Sequence, residues 1–201
     1  MNRNVIIIGA SGHGKVIADM VIKNNDRIIG FLDDDPNKTT LMDYPILGPI
    51  SDIQKYKEND FVIAIGNNAI RKDIAQQYPV HYITLVHPNA TIGQHVTIGK
   101  GTVIMAGAVI NPDTTIGEHC IVNTSAVIEH DNSIGNYTHI SPKATLCGTV
   151  TIGQNCHIGA GATIINNITI SDNVTVGAGS TVLKDIEESG TYVGSPVRKV
   201  R

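Results

Sequence analysis

The chain has 201 residues, 15 basic against 18 acidic, for a formal net charge of −3. That length suits one or two domains with a real core. The near-neutral balance has no basic run to track a phosphate backbone, so it argues against a nucleic-acid partner. No apolar stretch approaches a membrane span, and the N-terminal run from Val5 to Ile8 is too short for a signal sequence, so a cytoplasmic protein without membrane insertion is expected. Three cysteines without zinc-pair spacing fit a reduced compartment.

The first 84 residues read as a small α/β domain. "NVIIIG" is a buried strand, and "KVIADMVIKN" has the apolar spacing of a helix. "RIIGFLDDD" is a second strand ending in acids. "NDFVIAIGNN" and "HYITLV" are further strands, with a helix over "AIRKDIAQQY" between them. This alternation predicts a parallel, Rossmann-like sheet.

Between the first strand and helix lie Gly9, Gly12 and Gly14. A tight turn there aims backbone N–H groups and a helix N-terminus at an anion. The spacing is G-x-x-G-x-G, not that of a dinucleotide fold. Val16 stands where a P-loop needs a hydroxyl for Mg²⁺, which argues against an ATPase. Asp33, Asp34 and Asp35 close the second strand, where an acid can accept hydrogen bonds from a ribose or base. Loop and acids together point to a nucleotide-like ligand. The plainer alternative is a chain turn and a solvated acidic loop.

Residues 85–201 obey a different grammar. From Val86 to Val182 an aliphatic residue falls on every sixth position without a slip, and the fourth residue after it is usually small or β-branched. A period of six is the hexapeptide signature of a parallel β-helix, with three hexads to a triangular coil of about 18 residues. Each aliphatic residue fills the narrow interior, which suits a chain with no Trp and only two Phe. The fold class predicted is therefore α/β plus β: a Rossmann-like domain over 1–84, then a left-handed parallel β-helix over 85–201.

Charge interrupts this scaffold at Glu129-His130-Asp131. His130 lies two residues after Ile128, and one coil later the equivalent position is Gly148. A histidine stacked under a residue with no side chain leaves room over its ring beside a backbone N–H. Acyl transfer needs such a base and such an oxyanion donor. Asp131 or Glu129 would fix the ring's tautomer. His139 is half a coil further on and faces another side of the prism, so a site using both histidines would draw on two chains. His139 and His157 are 18 apart and stacked, but no acid or cysteine completes a metal set. Cys147 is a weak candidate for a covalent acyl carrier, because nothing nearby lowers its pKa.

These motifs carry a resemblance over essentially the whole chain. "IIIGASGHGKV", "GFLDDD", "AIGNNAIRKDI", "VIEHDNSIGNYTHISPKATLCGTVTIG" and "YVGSPVRKV" resemble, in that order, the left-handed β-helix sugar-nucleotide acetyltransferases. That group includes bacillosamine-type N-acetyltransferases, perosamine N-acetyltransferases and sialic acid O-acetyltransferases. The resemblance implies a homotrimer with acetyl-CoA as co-substrate, bound between adjacent β-helices, and no metal. It implies His130 as catalytic base, oriented by Asp131; some members have Glu there, and the shorter Asp arm alters that contact. His139 and the Gly148 N–H would meet the thioester region. Gly159, Ala160, Gly177 and Ala178 would form the pantetheine groove, with Gly194-Ser195-Pro196 nearer the adenine. Ser11, Gly12, His13 and Gly14 would hold sugar-nucleotide phosphates, while Asp33, Asp34, Asn67 and Asn68 line the nucleoside pocket. The expected reaction is acetylation of a nucleotide-linked amino sugar, a 4-amino-4,6-dideoxyhexose, in bacterial surface glycan synthesis. Sialic acid O-acetylation, a non-catalytic nucleotide-sugar scaffold and a β-helix carbonic anhydrase are the rivals; the last needs three zinc histidines.

Overall fold

A computed structural model describes residues 3–200. Its contacts divide the chain into two compact units, Met1–Pro88 and Asn89–Arg201.

The first unit is a five-stranded sheet flanked by helices. Its strands are β1 (Asn4–Ile8), β2 (Arg27–Leu32), β3 (Thr40–Leu41), β4 (Tyr44–Gly48) and β5 (Asp60–Ile63), in the order β3-β4-β2-β1-β5. β1 pairs in parallel with β2 and β5, and β4 with β2. β3 adds an antiparallel edge to β4. After their polar first residues, β1 and β5 are continuous apolar runs, Val5–Ile8 and Phe61–Ile63, because both faces are covered. Ile6, Ile8, Leu32, Phe61 and Ile63 are buried among Ile53, Ile74 and Tyr82. Helix α1 (Gly12–Lys23) buries Ile17, Ala18 and Val21, at helical spacing. Helix α2 (Asn68–Gln77) is capped by the Asn67 side chain, which accepts from Ile70 N at 3.1 Å. The β3–β4 hairpin and a 3₁₀ helix over Ile50–Tyr56 occupy a stretch that the apolar pattern alone did not assign.

The second unit is a left-handed parallel β-helix of two-residue strands at six-residue intervals. From Thr91 to Val182 the strands pair in parallel with those 18 residues away. Ile110, Ile128, Leu146, Ile164 and Val182 form one interior column. Ile98, Ile116, Ile134, Ile152 and Ile170 form a second. Ile104, Val122, Ile140, Ile158 and Val176 form the third. Like residues thus stack on like, and the columns from Ile104 to Val182 are buried. The corners follow the same period. Three residues after each aliphatic position from Ile92 to Val176 the backbone turns left-handed, as at Asp113, Ser125, Asp131, Tyr137 and Thr149. Gly, Asn and Asp recur there because they tolerate that conformation best.

Candidate active site

Two clusters form on the β-helix, at different corners. The first holds His130, Asp131 and Gly148. Asp131 sits at the left-handed corner position, φ 58°, and its carboxylate folds back onto the neighbouring ring. Asp131 Oδ2 lies 2.7 Å from His130 Nδ1. A carboxylate only accepts, so Nδ1 is the donor, and in the neutral ring the lone pair is on Nε2. Both side chains are more than half exposed, so a substrate can reach them. Gly148 lies directly over the ring: a Cβ there would fall 2.6 Å from His130 Cε1 and 2.7 Å from Nε2. Real Cβ atoms do not approach so closely, so glycine is what lets the ring lie there. Glu129, the other orienting acid considered, is held elsewhere; its Oε2 accepts from Asn111 Nδ2 at 2.7 Å.

Two residues of this half are not visible as site residues from the motif. Asn132 is 2 % exposed beneath the His130 turn. Its Nδ2 reaches the carbonyls of Glu129, His130 and Cys147. The sequence signal is that Asn132 alone among the small-residue positions of the hexads is an amide. Asn123 is the second. Its Oδ1 accepts from Thr124 N at 2.8 Å, which fixes the amide, and its Nδ2 then points at His139 Nε2, 3.0 Å away. The His139 ring proton therefore resides on Nδ1.

The second cluster lies on the face and corner that His139 shares with His157. Their rings meet edge-on, with centroids 4.9 Å apart. His157 Nε2 is 3.1 Å from Ser141 Oγ. Among the described residues no group of three or more His, Cys, Asp or Glu side chains is placed to hold a metal ion. The following corner carries Gly159-Ala160-Gly161 under Gly177-Ala178-Gly179, with Gly179 N donating to Ala160 O. Ala160 and Ala178 are exposed, and the space over Gly161 and Gly179 is open. These two tiers carry no side chain larger than a methyl group. The face carrying Thr145 and Thr163 separates them from the His130 corner. So one chain brings together His130, Asp131 and Gly148, and separately His139 with Gly159, Ala160, Gly177 and Ala178.

In the first unit, the glycine-rich loop is tightly built. Gly9 has φ 103°, and a Cβ on Gly14 would fall 2.5 Å from Gly9 O. Nothing lies within 4 Å of a Cβ on Gly12, and the Ser11 side chain makes no cap, so both face open space at the start of α1. Asp33 binds this loop: its Oδ2 accepts from Ala10 N at 2.6 Å, and its Oδ1 from Asp35 N and Lys38 Nζ, each at 3.0 Å. Burial alone would raise its pKa, but these donors outweigh it and hold the carboxyl below the usual range. Asp34 Oδ1 accepts from Ile50 N at 2.8 Å. Asp33, Asp34, Asp35 and Lys38 line a cavity of about 270 Å³ with Pro36, Ile46, Gly48 and Pro49.

On the loop's other side, Arg71 is buried and donates to the carbonyls of Ile65 and Gly66 and to Asn68 Oδ1. His13 lies near it. Burial and the Arg71 charge push the His13 pKa down to about 4, so its ring is neutral at pH 7. His13 Nε2 is buried with no partner among the described residues. Ser11, Gly12, His13 and Gly14 thus form one end of the unit with Asp33 behind them, while Asn67 caps α2 and Asn68 anchors Arg71.

The fold and its repeats define a hexapeptide transferase. Residues 4–78 match the PglD N-terminal domain, and residues 95–130, 133–166 and 149–184 match the bacterial transferase hexapeptide repeat. The acetyltransferase domain of PglB from Neisseria gonorrhoeae FA1090, in complex with acetyl coenzyme A, is 34% identical. It superposes with a TM-score of 0.94 over 100% of both chains. PerB from Caulobacter crescentus, in complex with CoA and GDP-perosamine, is 31% identical with a TM-score of 0.93, over 98% of this chain and 97% of that one. UDP-N-acetylbacillosamine N-acetyltransferase of Bacillus subtilis (strain 168) is 42% identical over 111 residues, 51% of each protein. The match to that curated relative thus spans about half of its length. This chain belongs to the family of two-domain sugar acetyltransferases that pair a PglD-type N-terminal domain with a hexapeptide β-helix.

Proposed function

We propose that this chain transfers acetyl from acetyl-CoA to the amine of a nucleotide-linked amino sugar, a 4-amino-4,6-dideoxyhexose. The observation that carries the reading is His130: its Nδ1 is held by Asp131, and Gly148 leaves space over the ring. The arrangement divides the labour of an acyl transfer. The sugar amine attacks the thioester carbonyl, and the carbonyl oxygen gains negative charge. The Gly148 N–H is the donor assigned to that oxyanion. His130 Nε2 takes the proton that the amine loses, with Asp131 stabilising the imidazolium that forms. The C–S bond then breaks, and the same proton leaves on the CoA thiol. No metal enters this sequence.

The His139 face and the Gly159–Ala160 and Gly177–Ala178 corner are assigned to the thioester and the pantetheine arm. They occupy a different corner from His130, which favours a site assembled from two subunits of a homotrimer. Ser11, Gly12, His13 and Gly14 are assigned to the phosphates, with Asn68 and the Asp34 cavity on the nucleoside side. Asp33 acts on that ligand through the loop it holds, since its oxygens already have donors. The enzyme is placed in the cytoplasm, in surface-glycan synthesis. The complexes of the two solved relatives, with acetyl coenzyme A and with CoA plus GDP-perosamine, support this reading.

The test is incubation with acetyl-CoA and a panel of UDP-, GDP- and dTDP-linked amino sugars, following free CoA and the acetylated product. Amide formation on one nucleotide amino sugar is expected. An ester on a sialic acid would replace the reading with O-transfer, and no turnover on any sugar would favour a scaffold.

A further inference from the structure

We infer that Asn132 is a positioning residue that locks the His130 turn to the coil carrying Gly148; the inference rests on His130 being the catalytic base. At the equivalent positions of other hexads the prism uses small hydroxyls and thiols as rungs. Thr102 Oγ1 donates to Gly117 O at 2.7 Å and Thr138 Oγ1 to Gly153 O at 2.9 Å. Cys120 Sγ donates to Gly135 O at 3.2 Å and Cys156 Sγ to Ser171 O at 3.1 Å. The hydroxyls of Thr102 and Thr138 also accept, from the N–H groups of Cys120 and Cys156.

Asn132 makes both rung contacts. Its Nδ2 donates to Cys147 O at 3.0 Å, and its Oδ1 accepts from Val150 N at 3.2 Å. It then does what no hydroxyl in that position does. The same Nδ2 reaches back to Glu129 O at 2.5 Å and His130 O at 3.2 Å. One buried amide, its two hydrogens shared among three carbonyls, thus contacts both peptides that carry the His130 side chain, beside Thr114 Oγ1, which also donates to Glu129 O at 3.0 Å. It also grips the carbonyl immediately before Gly148. The left-handed corner at Asp131 depends on those peptides being fixed, and Asp131 in turn holds the ring. At the other hexads this position is Ala, Val, Ile, Ser, Thr or Cys. The Cys120 and Cys156 thiols also reach back, to the carbonyl two residues before them at 3.6 Å. The amide at 132 reaches that carbonyl, His130 O, and the one before it, Glu129 O.

This separates a scaffold role from a positioning role. Asn132→Thr keeps the donor to Cys147 O and the acceptor for Val150 N, but deletes the contacts to Glu129 O and His130 O. Asn132→Cys, patterned on Cys120 and Cys156, whose thiols also reach the carbonyl two residues back at 3.6 Å, deletes the contact to Glu129 O. The assay is steady-state acetyl transfer with thermal unfolding, in wild type, both variants, His130→Ala and each double variant. The expected result is a melting temperature within a few degrees of wild type and an acetyl-CoA KM within about twofold. The loss should fall in kcat, roughly 10- to 100-fold, the scale of a misplacement of about 1 Å at a reacting group. In the His130→Ala background the same substitutions should cost nothing further, because the group they position is gone. A Thr or Cys variant with kcat within threefold of wild type, while His130→Ala is crippled, overturns the inference and leaves Asn132 a rung. So does a loss of equal size in the His130→Ala background. If His130→Ala itself has near-normal kcat, it is the base assignment that fails, and this inference with it.

Discussion

Gly148→Ala is the sharpest perturbation of the stacked histidine. The added methyl carbon would lie 2.6 Å from His130 Cε1 and 2.7 Å from Nε2. The ring must retreat by about 0.8 Å to reach an ordinary contact of 3.4 Å. The ring is held to Asp131 by a 2.7 Å bond, so a shift of that size away from Gly148 moves Nε2 while straining that contact. Displacing a reacting group by about 1 Å costs on the order of 10²-fold, equivalent to about 2.7 kcal/mol of barrier. Stability should hardly change. Gly148 is not among the residues with positive φ, so alanine fits the backbone. It also stiffens the unfolded chain by about 0.4–1 kcal/mol, against the small cost of turning an exposed ring. The assay is initial-rate release of CoA at saturating acetyl-CoA and nucleotide amino sugar, with a melting curve on the same preparation. The expected outcome is kcat down about 10²-fold at an unchanged melting temperature. A wild-type kcat in Gly148→Ala would refute the claim that the ring acts from its position under that glycine. A fall in melting temperature of 10 °C or more would show that the glycine serves the prism instead.

Asp131→Asn should lower kcat less than His130→Ala does, and a larger loss would make the acid more than an orienting group. Asp33→Ala frees Ala10 N and the loop, so it should raise the nucleotide-sugar KM far more than the acetyl-CoA KM; equal effects would detach the α/β unit from nucleotide binding. His13 has a folded pKa of about 4 against an unfolded value near 6.5, so the unfolded chain binds more protons between those values. Its contribution is therefore complete above about pH 6.5, falls by up to about 3 kcal/mol as the pH drops, and is flat below about pH 4. His13→Gln should flatten the melting-temperature profile across that window, and a profile parallel to wild type would contradict the burial argument. Sedimentation should give a trimer at micromolar concentration, and a stable monomer there would remove the two-subunit site.

The β-helix was legible because its geometry is periodic: an interior that admits one aliphatic side chain per face, three per coil, writes a six-residue repeat into the chain. The same arithmetic placed Gly148 over His130, since residues 18 apart must stack. What the repeat could not convey is how polar side chains orient within a corner. That the ring's partner is Asp131, while Glu129 turns to Asn111, depends on the left-handed backbone at residue 131. Asn123 escaped notice because it acts through another residue, by an amide contact that no spacing reveals; the spacing marks Asn132 as the one amide among the small-residue positions, but not which carbonyls it reaches. In the α/β unit the alternation of strands and helices was readable through α2, but "HYITLV", expected as a further strand, adds to that sheet only a single bridge between Tyr82 and Phe61. The β3–β4 hairpin was not readable, as its two short strands have too few residues to show a period. The acids after β2 stand out in the sequence as a group. Their division of work is a tertiary fact: Asp33 holds Ala10 and Asp34 holds Ile50.

The central claim is that His130 moves the proton in an acetyl transfer. The most direct measurement is kcat of His130→Ala against wild type, with both substrates saturating and acetyl-CoA binding measured separately. His130 lies at an exposed corner, and the prism interior is filled by the aliphatic columns, so the variant should fold and bind acetyl-CoA as wild type does. The account predicts kcat lowered roughly 10²- to 10⁴-fold, the usual worth of a general base. A kcat within a few-fold of wild type would contradict it.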